Sequence, residues 1–215
     1  MPQTEKLDLY KQRRTEYVAP KTPTLVTVRP ATYLTITGKG EPGGEAFTAK
    51  LGALFAMAYA IKFAAKSAGR DYKVCGPEGL WWGTRKRSDF LHEAKDQWKW
   101  KLLIRTPDFV TDDDLDQAVA TLIVKGKGPE VKKVELETID EALCAQVLHV
   151  GPYSNEPQTI ALMKEFVAQK GLTFRGVHHE IYLSDPRRVA EGKLRTILRH
   201  PVRVVAKGSR KRAVR

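Results

Sequence analysis

Two glutamates stand where a β-strand would ordinarily carry apolar residues. Glu78 precedes Gly79-Leu80-Trp81-Trp82, and Glu180 sits between His178-His179 and Ile181-Tyr182-Leu183-Ser184. Side chains alternate along a strand, so Glu78, Leu80 and Trp82 share one face, as do His178, Glu180, Tyr182 and Ser184. Glutamate is seldom buried without a task. Beside aromatic faces a carboxylate can bind a cation or act as a base, and burial moves a carboxyl pKa towards the range a general base needs. Matching the two strands residue for residue sets Glu78 against Glu180. That alignment predicts one cavity with aromatic walls and an acid at each end. Which acid is the base stays open, and the plain alternative is that Trp81, Trp82, Trp98 and Trp100 are core, with Glu78 at a strand end.

Other constellations carry less. His178-His179-Glu180 is not a zinc motif, because adjacent strand residues point to opposite faces and no third ligand is suitably spaced. His149 and His200 read as strand-end histidines, and Cys75 and Cys144 as small buried apolar residues. Gly38-x-Gly40 completes neither a dinucleotide fingerprint nor a P-loop, and no nucleophile elbow is present. Neither a metal nor an organic cofactor is expected.

The elements that would position these residues follow from pattern. Residues 32–37 are β-branched and stop at Gly38, which reads as a strand, and the Gly- and Pro-rich stretch to Gly44 reads as a loop. Phe47, Leu51, Leu54, Ala58, Ile61 and Ala65 recur at helical spacing and predict a helix over 45–67. Strands are predicted over 72–82 and 96–105, the second with Trp98, Trp100, Leu102 and Ile104 on one face. Thr111 and Asp114 form a capping pair for a connector helix over 111–126, and that role accounts for Asp112, Asp113 and Asp114 better than metal binding does. The pattern then recurs: strand 143–150, loop, helix 156–170, strands 176–184 and 194–205. The expected fold is α+β, with tandem duplicated strand-helix-strand-strand units, pseudo-twofold symmetry and a central ligand cleft. The units are placed at about residues 25–105 and 134–205, between an N-terminal arm over 1–24 and a basic tail over 206–215.

Composition sets the outer bounds. The chain has 215 residues, 42% of them hydrophobic, with four Trp, seven Tyr and seven Phe, enough apolar bulk to exclude disorder as the main state. Its most apolar run, 51–65, is broken by Lys62 and is shorter than the roughly 20 residues a bilayer span needs. The first residues have no apolar core of a secretory signal, and two cysteines make no disulfide framework, so a cytoplasmic protein without membrane attachment is expected. The net charge of +12 would suit nucleic acid, but Arg203, Lys207, Arg210, Lys211, Arg212 and Arg215 supply half of it. Such a tail reads first as solubilising, with weak nucleic-acid contact as the alternative.

Several stretches resemble one family. They are Glu78-Gly79-Leu80-Trp81-Trp82, Trp100 with Ile104-Arg105-Thr106-Pro107-Asp108-Phe109-Val110, Gln146-Val147-Leu148-His149-Val150-Gly151-Pro152-Tyr153 and Glu156-Pro157. To these are added the specific run from His178 through Tyr182 to Ser184-Asp185-Pro186-Arg187-Arg188, and residues 193–202. Together they resemble the GyrI-like small-molecule-binding family, in particular its stand-alone branch. The resemblance implies a cleft for hydrophobic, often cationic small molecules. It also implies, for members similar to this chain, hydrolytic opening of cyclopropane rings in DNA-alkylating natural products. By motif the family glutamate falls on Glu180, with Tyr182 beside it as the second catalytic candidate. Glu78, Trp82, Trp100, Tyr153 and His178 are the ligand-binding candidates. No helix-turn-helix segment precedes residue 30, so the regulator role of some relatives is not expected. A non-catalytic drug binder or sensor is the alternative function, and a basic nucleic-acid-associated protein the third.

Overall fold

The computed structural model describes residues 6–84 and 90–205. In chain order its strands are β1 (Thr24–Val28), β2 (Ala31–Lys39), β3 (Pro77–Trp82), β4 (Lys99–Arg105), β5 (Glu135–Ile139), β6 (Ala142–Val150), β7 (Leu172–Phe174), β8 (His178–Tyr182) and β9 (Arg195–Val204). Helices are α1 (Leu9–Gln12), α2 (Arg14–Tyr17), α3 (Glu45–Ser67), α4 (Asp112–Val124) and α5 (Glu156–Gln169). The strands form one sheet in the order β1-β6-β9-β8-β3-β4-β2-β5, with β7 added beside β9, and every strand pairing is antiparallel. The class is α+β.

The run β2-α3-β3-β4 is followed later in the chain by β6-α5-β7-β8-β9, and β3 and β8 meet at the middle of the sheet. The flanking strands cross over: β1, which leads into β2, pairs with β6, while β5, which leads into β6, pairs with β2. Each run is therefore edged by a strand from beside the other. A short, half-exposed strand such as Thr24–Val28 gains its ladder only from this long-range partner, which is why local pattern does not reveal it.

Both long helices lie on one face of the sheet. Leu54, Met57 and Ile61 of α3 pack with Leu34, Ile36, Trp100, Leu102 and Ile104. Met163 and Val167 of α5 pack with Ala145, Val147, Leu198 and Val202. By length and composition α3 could cross a bilayer, yet its inner stripe is core and its Lys62 pairs with Asp71 at 2.8 Å. Thr111 and Asp114 form a full capping box at the start of α4. Trp100 is fully buried, and its indole lies over Gly38, where a Cβ would come 2.1 Å from the ring. Gly38→Ala should therefore destabilise the fold by about 1–3 kcal/mol, the scale of overpacking, readable as a lower urea midpoint at unchanged slope.

The opposite face is covered by the N-terminal segment. Tyr17 and Ala19 pack on Ile181 and Ile197, with Tyr10, Leu148 and Leu183 at the margin. The stretch expected to be a mere arm thus folds as α1 and α2 against the sheet. The expected strand 72–82 is ladder-paired only from Pro77, with Tyr72 making an isolated bridge to Leu7. Of the basic tail, Arg203 is exposed at the end of β9, and residues 206–215 lie outside the described residues.

Candidate functional site

Strand β8 supplies three side chains to the helix face. His178, Glu180 and Tyr182 alternate along it, and their neighbours follow from register: Gly79 and Leu198 flank Glu180, Trp81 stands opposite His178, and Thr196 opposite Tyr182. Tyr182 Oη donates to Glu180 Oε2 at 2.7 Å and accepts from Trp81 Nε1 at 3.2 Å. The carboxylate is thus held by a phenol that is itself held by an indole. His178 Nε2 comes within 3.5 Å of Glu180 Oε1 without hydrogen-bond alignment, and its ring stacks on Phe90 with centroids 5.5 Å apart. Tyr153, 39% exposed, sets its ring edge-on to Tyr182 at 6.0 Å.

Helix α5 brings a second acid to this place. Glu156 is its first residue, only 5% exposed, and it packs close to the 7% exposed Glu180 and to Thr196. The chain is anchored there by His149 on β6, which bonds Thr159 Oγ1 at 2.9 Å and the Pro152 carbonyl at 3.0 Å. Burial, and then the Glu180 charge, push the Glu156 pKa up to about 10. The α5 dipole opposes this, but favours an anion by only about 0.3–1 kcal/mol. Two like charges at about 4 Å repel by about 4 kcal/mol even at an effective dielectric of 20. Burial and this repulsion together outweigh the dipole and favour the protonated form of Glu156.

The same neighbourhood collects unspent hydrogen-bonding capacity. Glu156 Oε1, Thr196 Oγ1 and both ring nitrogens of His178 are buried without a partner. Leaving such an atom unpaired costs about 1–3 kcal/mol, so a cluster of them marks a place where a ligand or water is to bind. Two depressions of about 420 and 340 Å3 lie elsewhere, against the N-terminal segment, one lined by Val18, Leu25 and Gln146 and the other by Leu9, Arg105 and Phe109.

Glu78 and Trp82 do not join this cluster. In the ladder Glu78 pairs with Ile181 and Gly79 with Glu180, so Glu78, Leu80 and Trp82 point to the opposite face. Matching Glu78 with Glu180 is wrong by one residue, and on a strand one residue inverts the face. Glu78 instead accepts from Tyr17 Oη at 2.9 Å and contacts His179 Nε2 at 2.9 Å. His179 Nδ1 meets Glu141 at 3.0 Å, Glu141 meets Arg199 Nη1 at 3.2 Å, and Arg105 meets Glu16 at 2.5 Å. Arg199 also donates to the Glu16 carbonyl, and Gln146 Nε2 to the carbonyls of Thr15 and Val18. Three acids and three bases thus close a buried network that ties the N-terminal segment to the sheet. Burial raises the Glu141 carboxyl, but the His179 charge and hydrogen bond, with Arg199, outweigh it and hold the pKa at about 2. Burial lowers His179 in turn, yet Glu141 and Glu78 lift it to about 9. Trp100 faces the helices, but as core: it packs on Phe47 at 5.0 Å and donates to the Gly40 carbonyl at 3.0 Å.

A family model for the GyrI-like small molecule binding domain matches residues 21–203. The chain belongs to the GyrI-like family. An uncharacterized conserved protein from Listeria innocua is 35% identical, with a TM-score of 0.86 over 92% of this chain and all of the other. A hydrolase from Listeria innocua is 34% identical, with a TM-score of 0.85 over 93% of this chain and all of the other. The EcmrR C-terminal domain shares the fold at 12% identity, with a TM-score of 0.56 over 86% of this chain and 98% of that one. Among curated proteins no significant match is found.

Sequence reasoning brought Glu180, Tyr182, His178 and Tyr153 into this GyrI-like site and missed Glu156, Trp81, Thr196 and Gly79. An acid in the first turn of a helix has a ready explanation in the dipole, which hid Glu156. Gly79 matters by absence: a Cβ there would come 3.1 Å from Tyr182 Oη, which holds Glu180, and 2.8 Å from Trp81 Nε1, which holds that hydroxyl. Among the described residues no group of three or more His, Cys, Asp or Glu could hold a metal ion.

Proposed function

We propose that this GyrI-like protein hydrolyses cyclopropane-bearing electrophiles, with Glu180 as the general base, and so protects against DNA-alkylating compounds of that class. The observation that supports it most is a buried carboxylate held by Tyr182 and surrounded by unpartnered polar atoms of His178, Thr196 and Glu156. The two Listeria innocua neighbours described as hydrolases, at 34% and 33% identity, support the reaction class.

The chemistry needs few parts. In a cyclopropane conjugated to a dienone, water oxygen bonds to the ring methylene as the carbon–carbon bond breaks. The bonding pair moves into the ring system and leaves a phenolate, which takes up a proton. Glu180 would receive the proton the water loses, and Tyr182 would fix the direction of its lone pairs. Trp81 and Phe90, buried in the core, and Trp98, packed edge to face with them at 5.9 and 4.9 Å, back the site and keep bulk water away from Glu180. Tyr182 thus acts by positioning Glu180.

Tyr182→Phe removes the 2.7 Å bond to Glu180 and leaves the ring in place. With excess electrophile the parent protein should turn over many equivalents, and the Phe variant should be slower by about 10-fold, the worth of one charge-assisted hydrogen bond. Tight binding of the electrophile with no product beyond the background rate would make the protein a sequestering binder instead.

A further inference from the structure

The sheet ends in two edges of opposite character. At one, β5 carries Glu135 and Glu137, and Glu137 is held by Lys101 at 2.6 Å and by Thr35 at 2.8 Å. Charged side chains of that kind keep an edge from pairing with foreign chain. At the other, β1 reads Thr24-Leu25-Val26-Thr27-Val28, without a charge, and among the described residues it pairs with β6 alone. Pro23 and Pro30 bound it, so the free edge is five residues long. Beside it lies the depression of about 420 Å3, which touches three consecutive strand residues, Thr24, Leu25 and Val26, together with Arg14 and Val18. Successive side chains point to opposite faces, so a cavity that meets three in a row reaches the backbone of the edge. Val18 and Leu25 present apolar surface there, 56% and 39% exposed. Arg14, Lys21 and Arg29 are exposed around this edge and form no ion pair among the described residues. The acids at the Arg29 end are committed elsewhere. Asp140 accepts from the Ala142 amide at 3.1 Å, and Glu141 belongs to the buried network.

We propose that β1 is a docking edge for an extended, acidic peptide segment of another protein, which adds to the sheet as a further strand. Its backbone pairs with the open side of Thr24–Val28, its apolar side chains lie against Val18 and Leu25, and its acids meet Arg14, Lys21 and Arg29. A second copy of this chain fits less well. Antiparallel pairing of β1 with itself brings the Lys21 end of one copy to the Arg29 end of the other, cation against cation. Pairing of β1 with β5 of another copy leaves a free edge on each side and does not close. A nucleic acid would answer the charge, but no aromatic ring lines this groove for a base to stack on. The edge lies apart from Glu180, with β6 and β9 between β1 and β8, so a docked peptide leaves the small-molecule site open.

The probe is the synthetic peptide acetyl-Glu-Glu-Val-Thr-Val-Thr-Val-Glu-Glu-amide, titrated into the full chain. Hydrogen exchange should slow in residues 24–28 when it binds, because new ladder bonds protect the outer amides of β1. Reversing both flanking charges, Lys21→Glu with Arg29→Glu, should weaken binding by about 10-fold or more, since two attractions become repulsions. If that variant fails to fold, the parent carries the charge test alone: the same peptide with lysines in place of its glutamates should bind at least about 10-fold more weakly. Methylating the peptide's backbone nitrogens should abolish binding, because the ladder needs them. Four results would overturn the proposal. They are no binding of the acidic peptide, binding without slowed exchange in 24–28, equal binding of the lysine or N-methylated peptide, and tighter binding of a single-stranded oligonucleotide. Concentration-dependent self-association with the same protection would assign the edge to a second copy and overturn it too. None of these results depends on turnover of a small molecule.

Discussion

Glu180→Gln is expected to lower turnover of a cyclopropane-bearing electrophile by about 100-fold or more, the scale of losing a general base. The substitution keeps the shape of the side chain and an acceptor for the Tyr182 hydroxyl, which bonds Glu180 at 2.7 Å. It removes only the basic oxygen. Affinity for a neutral planar ligand should therefore be nearly unchanged, while a cationic one should bind less tightly. Rate and affinity measured on the same preparation separate these effects. Near-normal turnover in a folded Gln variant would take Glu180 out of the mechanism. Glu78 could not replace it, because it lies on the other face, bonded to Tyr17 and His179.

The second large effect concerns the network beneath the N-terminal segment. Arg199→Met should destabilise the protein by about 3–5 kcal/mol, because it leaves buried Glu141 short of a partner instead of removing a complete ion pair. Urea unfolding at pH 6 is the measurement, and a change under about 1 kcal/mol would show that the network contributes little. Its pH dependence has a definite sign. Glu141 is depressed from its ordinary 4.5 to about 2, so its contribution is present above 4.5 and is lost as pH falls towards 2. His179 is raised from 6.5 to about 9, so its contribution is present below 6.5 and is lost as pH rises towards 9. The pair stabilises most between 4.5 and 6.5. Glu156, raised from 4.5 to about 10, contributes most below 4.5 and its contribution is lost steadily as pH rises from 4.5 to about 10, because the folded protein holds a proton that the unfolded chain releases.

Much of this fold is legible along the chain because its main elements carry strong local periodicity. The apolar residues of α3 recur at helical spacing over its whole length, Glu45–Ser67, and the helix is observed with those bounds. In β4 the expected face of Trp100, Leu102 and Ile104 is buried, but Leu103 and Arg105 on the other face are buried too. That second burial is imposed by distant chain: Glu16 and Tyr17 reach Arg105 from the N-terminal segment, and no local pattern encodes such a cover. The network draws Glu16 from α2, Glu78, Arg105, His179 and Arg199 from four strands and Glu141 from the turn before β6, so its burial is legible only once α2 is in place.

The candidate site was legible in outline and misread in register. Residue identity located Glu180 and Tyr182, whereas the facing of Glu78 depended on a one-residue offset between β3 and β8 that self-comparison of the sequence does not fix. Trp81, not Trp82, therefore stands beside Tyr182. Glu156 was visible as a motif residue, but its contact with Glu180 depends on how α5 docks on the sheet.

The central claim is that the GyrI-like site of this chain adds water across a cyclopropane ring. It is tested most directly by incubating the purified protein with a spirocyclopropyl-dienone alkylator in 18O-labelled water and analysing the product by mass spectrometry. The account predicts a ring-opened alcohol carrying one solvent oxygen, formed in many-fold excess over protein and at a rate at least about 100-fold lower with Glu180→Gln. Recovery of the intact electrophile at the background rate, or the same rate with the parent and the Gln variant, would contradict it.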